Sequence, residues 1–317
     1  MERIRLKIVM AVLVGSFWTG EAFSHEDIYY IDAHSQYDQY VTAEVDVIPA
    51  MERNNVRAVI LANRGNVPWD RPLTDAANYP GRIIPAIRSK GGAYNENRWD
   101  DYVNFISRQS NARDSHGNRQ FQASAEVLIY HAAKSATIPE VIVPLNDPRP
   151  LKVFDICREE GWPYIIHIEF AGLADNERRE YMKNLEAFIS SYPDMNFVLI
   201  HMGQLTVGGV MQLIVRHDNI YFATSHSDPT TTDFSDIPWT ELFKNEQLAP
   251  EWKKVFMLFP DRFVFSLDRV FYTHWDKYDQ SMNYWRDAIN SLPYDVAHKL
   301  AHGNAEKLWN IEPPLAY

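Results

Sequence analysis

The chain has 317 residues, with 31 basic against 42 acidic side chains and a formal net charge of −11 at pH 7. An acidic surface repels phosphate backbones and anionic lipid, which sets nucleic acid and the membrane aside as partners. Cys157 is the only cysteine, so no intrachain disulfide can form. It lies in a helical-looking run, Leu151 to Glu160, with nothing beside it to lower its pKa, and reads as a buried structural thiol.

The first residues combine a basic stretch (Arg3, Arg5, Lys7), an apolar run from Ile8 to Trp18 and small residues at Ala22 and Ser24. That is the plan of a secretory signal peptide, too short in its apolar part to span a bilayer. Residues 1–24 are therefore expected to be a cleaved signal peptide. Residues 25–317 are then one catalytic domain, soluble in the periplasm or secreted, with no membrane partner. Their number suits a single α/β barrel, which needs roughly 250 residues.

After this segment, short apolar runs alternate with longer helix-like ones. The strand candidates are Tyr29–His34, Ala58–Ala62, Ile83–Ile87, Glu126–Tyr130, Tyr164–Ile168, Phe197–His201, Ile220–Ala223 and Phe263–Asp268. Each is rich in Ile, Val, Phe and Tyr and bounded by polar, Gly or Pro residues. Helical periodicity marks runs such as Glu180–Ser190 and Val207–Val215 between them. Eight strands interleaved with helices predict a parallel sheet closed into a (β/α)8 TIM barrel. No glycine-rich phosphate loop follows any strand, which removes the usual reason for an open doubly wound sheet. Asn63–Asn78, Arg88–Arg98, Gln109–Arg119 and Ser225–Trp239 read as long loops that build the barrel mouth. Trp69, Trp99, Trp239 and Trp275 lie in loop-like segments, where indoles either pack under loops or line a pocket.

Polar residues end several of these strands. Alternation puts Tyr30, Asp32, His34 and Gln36 on one face of the first strand, and His167 and Glu169 on one face of the fifth. His201 ends the sixth strand; Ser266 and Asp268 share a face of the eighth. A single strand-end histidine is more often structural than functional. Polar residues ending four separate apolar strands converge at the C-terminal mouth, where barrel chemistry occurs. Imidazole nitrogens and carboxylate oxygens are what zinc prefers, and a zinc-bound water has a pKa near 7.

In the order of its strand-end residues the chain resembles the amidohydrolase superfamily, particularly the amidohydrolase 2 branch with its decarboxylases and small hydrolases. That branch has an Asp-x-His-x-His first strand, a His on each of the fifth and sixth strands, and an Asp on the eighth. The matches are Asp32-Ala33-His34, His167, His201 and Asp268, and Gly303 to Trp309 looks like its terminal helix start. The resemblance runs from about Tyr29 to Ile311. It implies a metal-dependent barrel holding one divalent ion, zinc by ligand type, on His34, His167 and Asp268. His201 would be the general acid–base, and Asp268 would carry the proton taken from water.

Gln36 stands where the family has a second first-strand His, a neutral and weaker donor that puts metal dependence in question. Gln36 itself or Glu126 is the further ligand candidate, although Glu126 begins its run and could lie at the opposite strand end, where it would be a structural carboxylate. Glu169, His226 and Arg269 are candidate substrate contacts, with a lesser claim for His131. The activity implied is hydrolysis of a small organic ester, lactone or amide. Alternatives are a nonoxidative decarboxylase, a metal-free lactonase, or a non-catalytic binding protein whose site has decayed at Gln36. The sequence names neither the substrate nor the oligomeric state, and leaves a homo-oligomer open.

Overall fold

The short apolar runs become strands because each must bury two faces, one toward the barrel interior and one toward the helices. In the computed structural model, which describes residues 25–134, 139–232 and 237–312, the first strands are β1 (Tyr30–Tyr37), β2 (Val56–Asn63) and β3 (Ile83–Ile87). β4 comes in two pieces, Ala123–Ser124 and Val127–His131. β5 (Tyr164–Ile168), β6 (Phe197–Leu199), β7 (Ile220–Ala223) and β8 (Phe263–Val264) follow. These neighbours all pair in parallel. The pieces of β4 join the two halves, Ala86 pairing with Ala123 and Leu128 with His167. The Ala33 N–H donates to Phe265 O at 2.9 Å and the Asp268 N–H to His34 O at 2.8 Å, which brings the eighth strand back to the first. The chain forms the expected TIM barrel.

Ile31, Ala33, Ile60, Ala86, Val198 and Val264 fill the interior. Tyr30, Val59, Leu61, Ile166 and Phe222 face the helix layer. That layer is α1 (Ile48–Arg53), α2 (Arg71–Asn78), α3 (Trp99–Ser110), α4 (Pro148–Glu160), α5 (Asp175–Ser191), α6 (Val207–Arg216), α7 (Pro250–Leu258) and α8 (Tyr278–Asn290), each following the strand of its number. α4 shows the local reasons. The Asp147 side chain accepts the Arg149 N–H at 2.9 Å, Pro148 presets the first turn, and Gly161 at φ 72° ends the helix. Cys157, on this helix, is fully buried, and burial pushes its thiol up to about 12, as expected of an inert structural cysteine. A last helix, Asn304–Trp309, plugs the barrel foot with Ala305, Leu308 and Trp309.

The boundaries differ in places. Asn63–Asn78 is not all loop: α2 forms within it, its first turn set by Pro72 and its side supported by the Arg71–Asp75 ion pair at 2.9 Å. Its sequence, RPLTDAAN, is short and carries one large apolar residue, Leu73, so it reads as loop in spite of its amphipathic spacing. Arg88–Arg98 contains a helical turn, Gly92–Asn95, and Ser225–Trp239 contains another, Pro229–Thr232. The expected signal peptide falls in residues 1–24, outside the described residues. Among the described residues no helix is long and apolar enough to cross a membrane.

Candidate metal and acid–base site

Breaks in backbone regularity deliver the polar side chains to the mouth. On β1, Asp32 pairs with Val59 and Ser35 with Leu61, three steps against two, so the strand carries a bulge. The bulge overturns the simple alternation that put Asp32 and His34 on one face. Asp32 stitches β1 to the eighth strand, its carboxylate accepting from Ser35 Oγ at 2.6 Å and from the Leu267 N–H at 3.0 Å. Burial outweighs these bonds and lifts its carboxyl to about 7. His34, within the bulge, turns toward Glu126 and Asp268 at the mouth. Glu126 sits in the break between the pieces of β4; because that strand begins at Ala123, the residue lies among the mouth groups and not at the far end.

On the other half, β6 stops at Leu199. His201, Met202 and Gly203 then adopt φ of 55°, 54° and 64°. His226 and Asp268 also have positive φ, 54° and 48°. Such strain costs on the order of 1–3 kcal/mol per non-glycine residue and gathers at functional sites. Here three of the strained residues are the site's own side chains.

Asp268 is the hub. Its Oδ1 lies 3.5 Å from His34 Nε2, and its Oδ2 lies 3.6 Å from both His201 Nε2 and His226 Nε2. Glu126 Oε1 is 3.9 Å from His34 Nε2, and Glu126 Oε2 accepts from His167 Nδ1 at 2.5 Å. His167 Nε2 faces Glu169 Oε1 at 3.3 Å, so both of its nitrogens meet carboxylates. His201 stacks on His226 with centroids 4.4 Å apart and planes 3° from parallel, and Trp239 meets both rings edge-on. Ser225 Oγ meets His201 Nδ1 at 2.9 Å and accepts the His201 backbone N–H at 3.2 Å, which pins that ring.

Protonation follows from these contacts. Burial drives His34, His201 and His226 below the usual imidazole range, so they are neutral at pH 7. His167 goes the other way, because Glu126 and Glu169 outweigh its burial. Burial would raise Glu126, yet Lys90, His167 and His34 hold it well below the carboxylate range.

Three groups place ligand atoms within 4.8 Å of one another: His34, Glu126 and Asp268; Glu126, His167 and His201; and His201, His226 and Asp268. A tetrahedral ion with bonds of about 2.1 Å sets its ligands about 3.4 Å apart. The Asp268 distances match that spacing, the three imidazoles around Asp268 are neutral as ligation requires, and His34 Nδ1 and His226 Nδ1 are buried with no hydrogen-bond partner among the described residues. His167, expected to share the ion with His34 and Asp268, is in no group with those two, because both its nitrogens are turned to Glu126 and Glu169. The residues fit a divalent ion. Gln36 takes another part. Its Nε2 donates to Glu126 Oε1 at 3.1 Å and to Asp268 Oδ1 at 2.9 Å, presenting an amide NH2 to the carboxylates and not the carbonyl oxygen expected of a ligand.

The site opens into a cavity of about 960 Å³. Its lining includes Arg64, Arg88, Lys90, Lys134, Arg269 and Lys277, against Glu96, Glu126, Glu140 and Asp268, a cationic balance inside an acidic protein. Arg269 reaches this cavity, but its Nη2 is held by Asp228 Oδ2 at 3.4 Å and Thr230 Oγ1 at 3.3 Å. Glu169 accepts the Ala132 N–H at 2.7 Å and faces Lys134 at 3.4 Å. His131 lies 4.0 Å from Glu169 at the same wall. Of the tryptophans, Trp239 lines the cavity, and Trp275 is buried with its Nε1 donating to Gln36 O at 3.0 Å. Lys90, Lys134, Ser225 and His274 are site residues that the strand ends alone do not mark. Lys90, Lys134 and Ser225 each lie two or three positions beyond a strand end, whereas His274 lies on a helical turn well past the eighth strand.

The family model described as amidohydrolase, of the amidohydrolase 2 type, matches residues 139–311. The chain belongs to the amidohydrolase family. The match holds His167, His201, His226 and Asp268, while His34, Gln36 and Glu126 join them through the fold. No curated protein matches the sequence. An uncharacterized TIM-barrel protein from Bordetella bronchiseptica is similar in structure, with TM-score 0.56, 13% identity and coverage of 89% of this chain and 99% of that one. So is 2,6-dihydroxybenzoate decarboxylase from Rhizobium, at TM-score 0.55, 12% identity, and 90% and 100% coverage. A probable 2-pyrone-4,6-dicarboxylic acid hydrolase from Acinetobacter baumannii gives 0.53, 10%, and 89% and 100%. At these identities the likeness establishes the barrel fold shared with this amidohydrolase.

Proposed function

We propose that this amidohydrolase hydrolyses an ester or lactone of a small carboxylate-bearing molecule. The observation that carries the reading is Asp268, an ionised, buried carboxylate facing three neutral histidines at the floor of a cation-lined cavity. Arg64 and Lys277 at the wall attract the substrate carboxylate, and the low-dielectric floor strengthens that attraction. Asp268 accepts a proton from the attacking water. His201, held by Ser225 against Asp268, relays that proton to the leaving oxygen. A divalent ion of the zinc type, held by His34, Glu126 and Asp268, would supply a water with a pKa near 7. Two of the similar structures are named for carboxylated compounds, which supports an anionic substrate.

Hydrolysis and decarboxylation separate with two probes. With 2-pyrone-4,6-dicarboxylate, acid release in a pH-stat is the expected result. Carbon dioxide from 2,6-dihydroxybenzoate without lactone opening would replace hydrolysis by decarboxylation. Tight binding of either acid without turnover would leave a binding protein. The reading includes export, with residues 1–24 removed and action in the periplasm or outside the cell. Mass spectrometry of the exported protein is expected to find a mature end near His25, and material beginning at Met1 would reject this.

A further inference from the structure

Lys90 borders the site floor and has no part in the proposed proton path. It lies just past β3, and its backbone is fixed there. The Arg88 N–H donates to Gln109 Oε1 at 2.9 Å, Ser89 Oγ donates to the Glu126 carbonyl, and Tyr102 OH donates to Ser89 O at 2.9 Å. From this anchored turn the Lys90 ammonium reaches Glu126 Oε1 in a direct ion pair. The same oxygen accepts from Gln36 Nε2 at 3.1 Å and lies 3.9 Å from His34 Nε2. Glu126 is fully buried, whereas the Lys90 side chain is 17% exposed and borders the cavity.

We propose that Lys90 is the resident counter-cation of the Glu126–Asp268 carboxylate pair, and that a divalent ion must displace it from Glu126 to bind. The second half rests on the metal reading given above. Two buried carboxylates that share one amide donor at 3.1 and 2.9 Å repel each other unless positive charge lies beside them; His167 faces Glu126 Oε2, and Lys90 covers Oε1, the oxygen turned toward Gln36 and His34. A lysine suits this post because its charge is compact and its stem is flexible. It can cover Glu126 in the free protein and swing into the cavity when another cation arrives. Lys90 and the Gln36 amide together occupy the carboxylate oxygens that an ion would take, so the chain carries its own competitor for metal.

Lys90→Met removes the charge and keeps the stem, while Lys90→Arg keeps the charge. Zinc affinity of the full chain is measured by competitive chelator titration, and the melting temperature with and without zinc. Lys90→Met is expected to bind zinc at least tenfold tighter than wild type, to melt lower when stripped, and to recover with zinc; Lys90→Arg stays near wild type. Where wild type binds zinc, unchanged or weaker binding in Lys90→Met overturns the proposal, and so does an unchanged melting temperature when stripped. If neither protein binds zinc but stripped Lys90→Met still melts lower, the metal reading fails and the counter-cation role stands. Should Lys90→Met not fold, Lys90→Gln, which keeps a donor for Glu126, carries the same comparison.

Discussion

The two ends of the barrel hold similar residues put to different use. At the foot, Glu306 accepts from Tyr29 OH, His302 Nδ1 meets the same oxygen at 3.1 Å, and the Tyr29 ring stacks on His302 at 3.8 Å. His298 packs on His302 at 4.2 Å, and Arg57 covers Tyr29 at 4.5 Å. Histidines, a carboxylate, aromatics and a cation are all present, as at the mouth. His298, His302 and Glu306 sit on helical backbone, with one carboxylate shared by two partners. At the mouth, by contrast, several carboxylates face one another, His201, His226 and Asp268 sit on strained backbone, and the group opens into a cavity. Residue type therefore does not make a reactive site. Unbalanced charge, enforced strain and access do.

The largest effect that could break this contrast is on turnover. Asp268→Asn keeps shape and removes the proton acceptor, so kcat/KM on the lactone probe should fall by on the order of 10²- to 10⁴-fold. Glu306→Leu at the foot should leave kcat/KM within a factor of two or so while costing roughly 1–3 kcal/mol of stability in a denaturant melt. Equal loss of activity from both would show that the ends are not functionally distinct.

Ser225→Ala sharpens the picture of the mouth. Freed from its pin, His201 should lose roughly tenfold in kcat, about 1.4 kcal/mol, with KM little changed. The acidic limb of the pH profile should move with it, which a purely structural serine would not produce.

The smallest effect is an acid slope. Burial lowers His131 and His274 to about 4. A depressed histidine stabilises the fold above its unfolded pKa of about 6.5, and that stability is lost as pH falls toward 4. The melting temperature should therefore drop between pH 6.5 and 4, and a His131→Asn/His274→Asn double variant should flatten the drop. An unchanged slope would mean that these rings already titrate like exposed ones.

The barrel was legible because alternating apolar runs and helical runs are local patterns, and burial on two faces leaves its mark on every strand. His34, His167, His201 and Asp268 were legible for the same reason, as polar residues ending apolar strands. The end of the strand at which Glu126 lies was not legible, because that strand starts three residues earlier, at Ala123, in a run too small-sided to register as a strand. Asp32 was put on the wrong face because a bulge leaves no trace in composition.

What the sequence determined by itself, then, is everything carried by neighbours along the chain: strands, helices, caps, and the kind of side chain waiting at each strand end. Only the tertiary structure decided their relations. Lys90 reaches Glu126 across 36 positions, and Gln36 reaches Asp268 across 232. His167 is enclosed by Glu126 and Glu169, and that enclosure raises its pKa while its neighbours' pKa values fall. Charge and protonation depend on distance and burial, and closing the barrel fixes both.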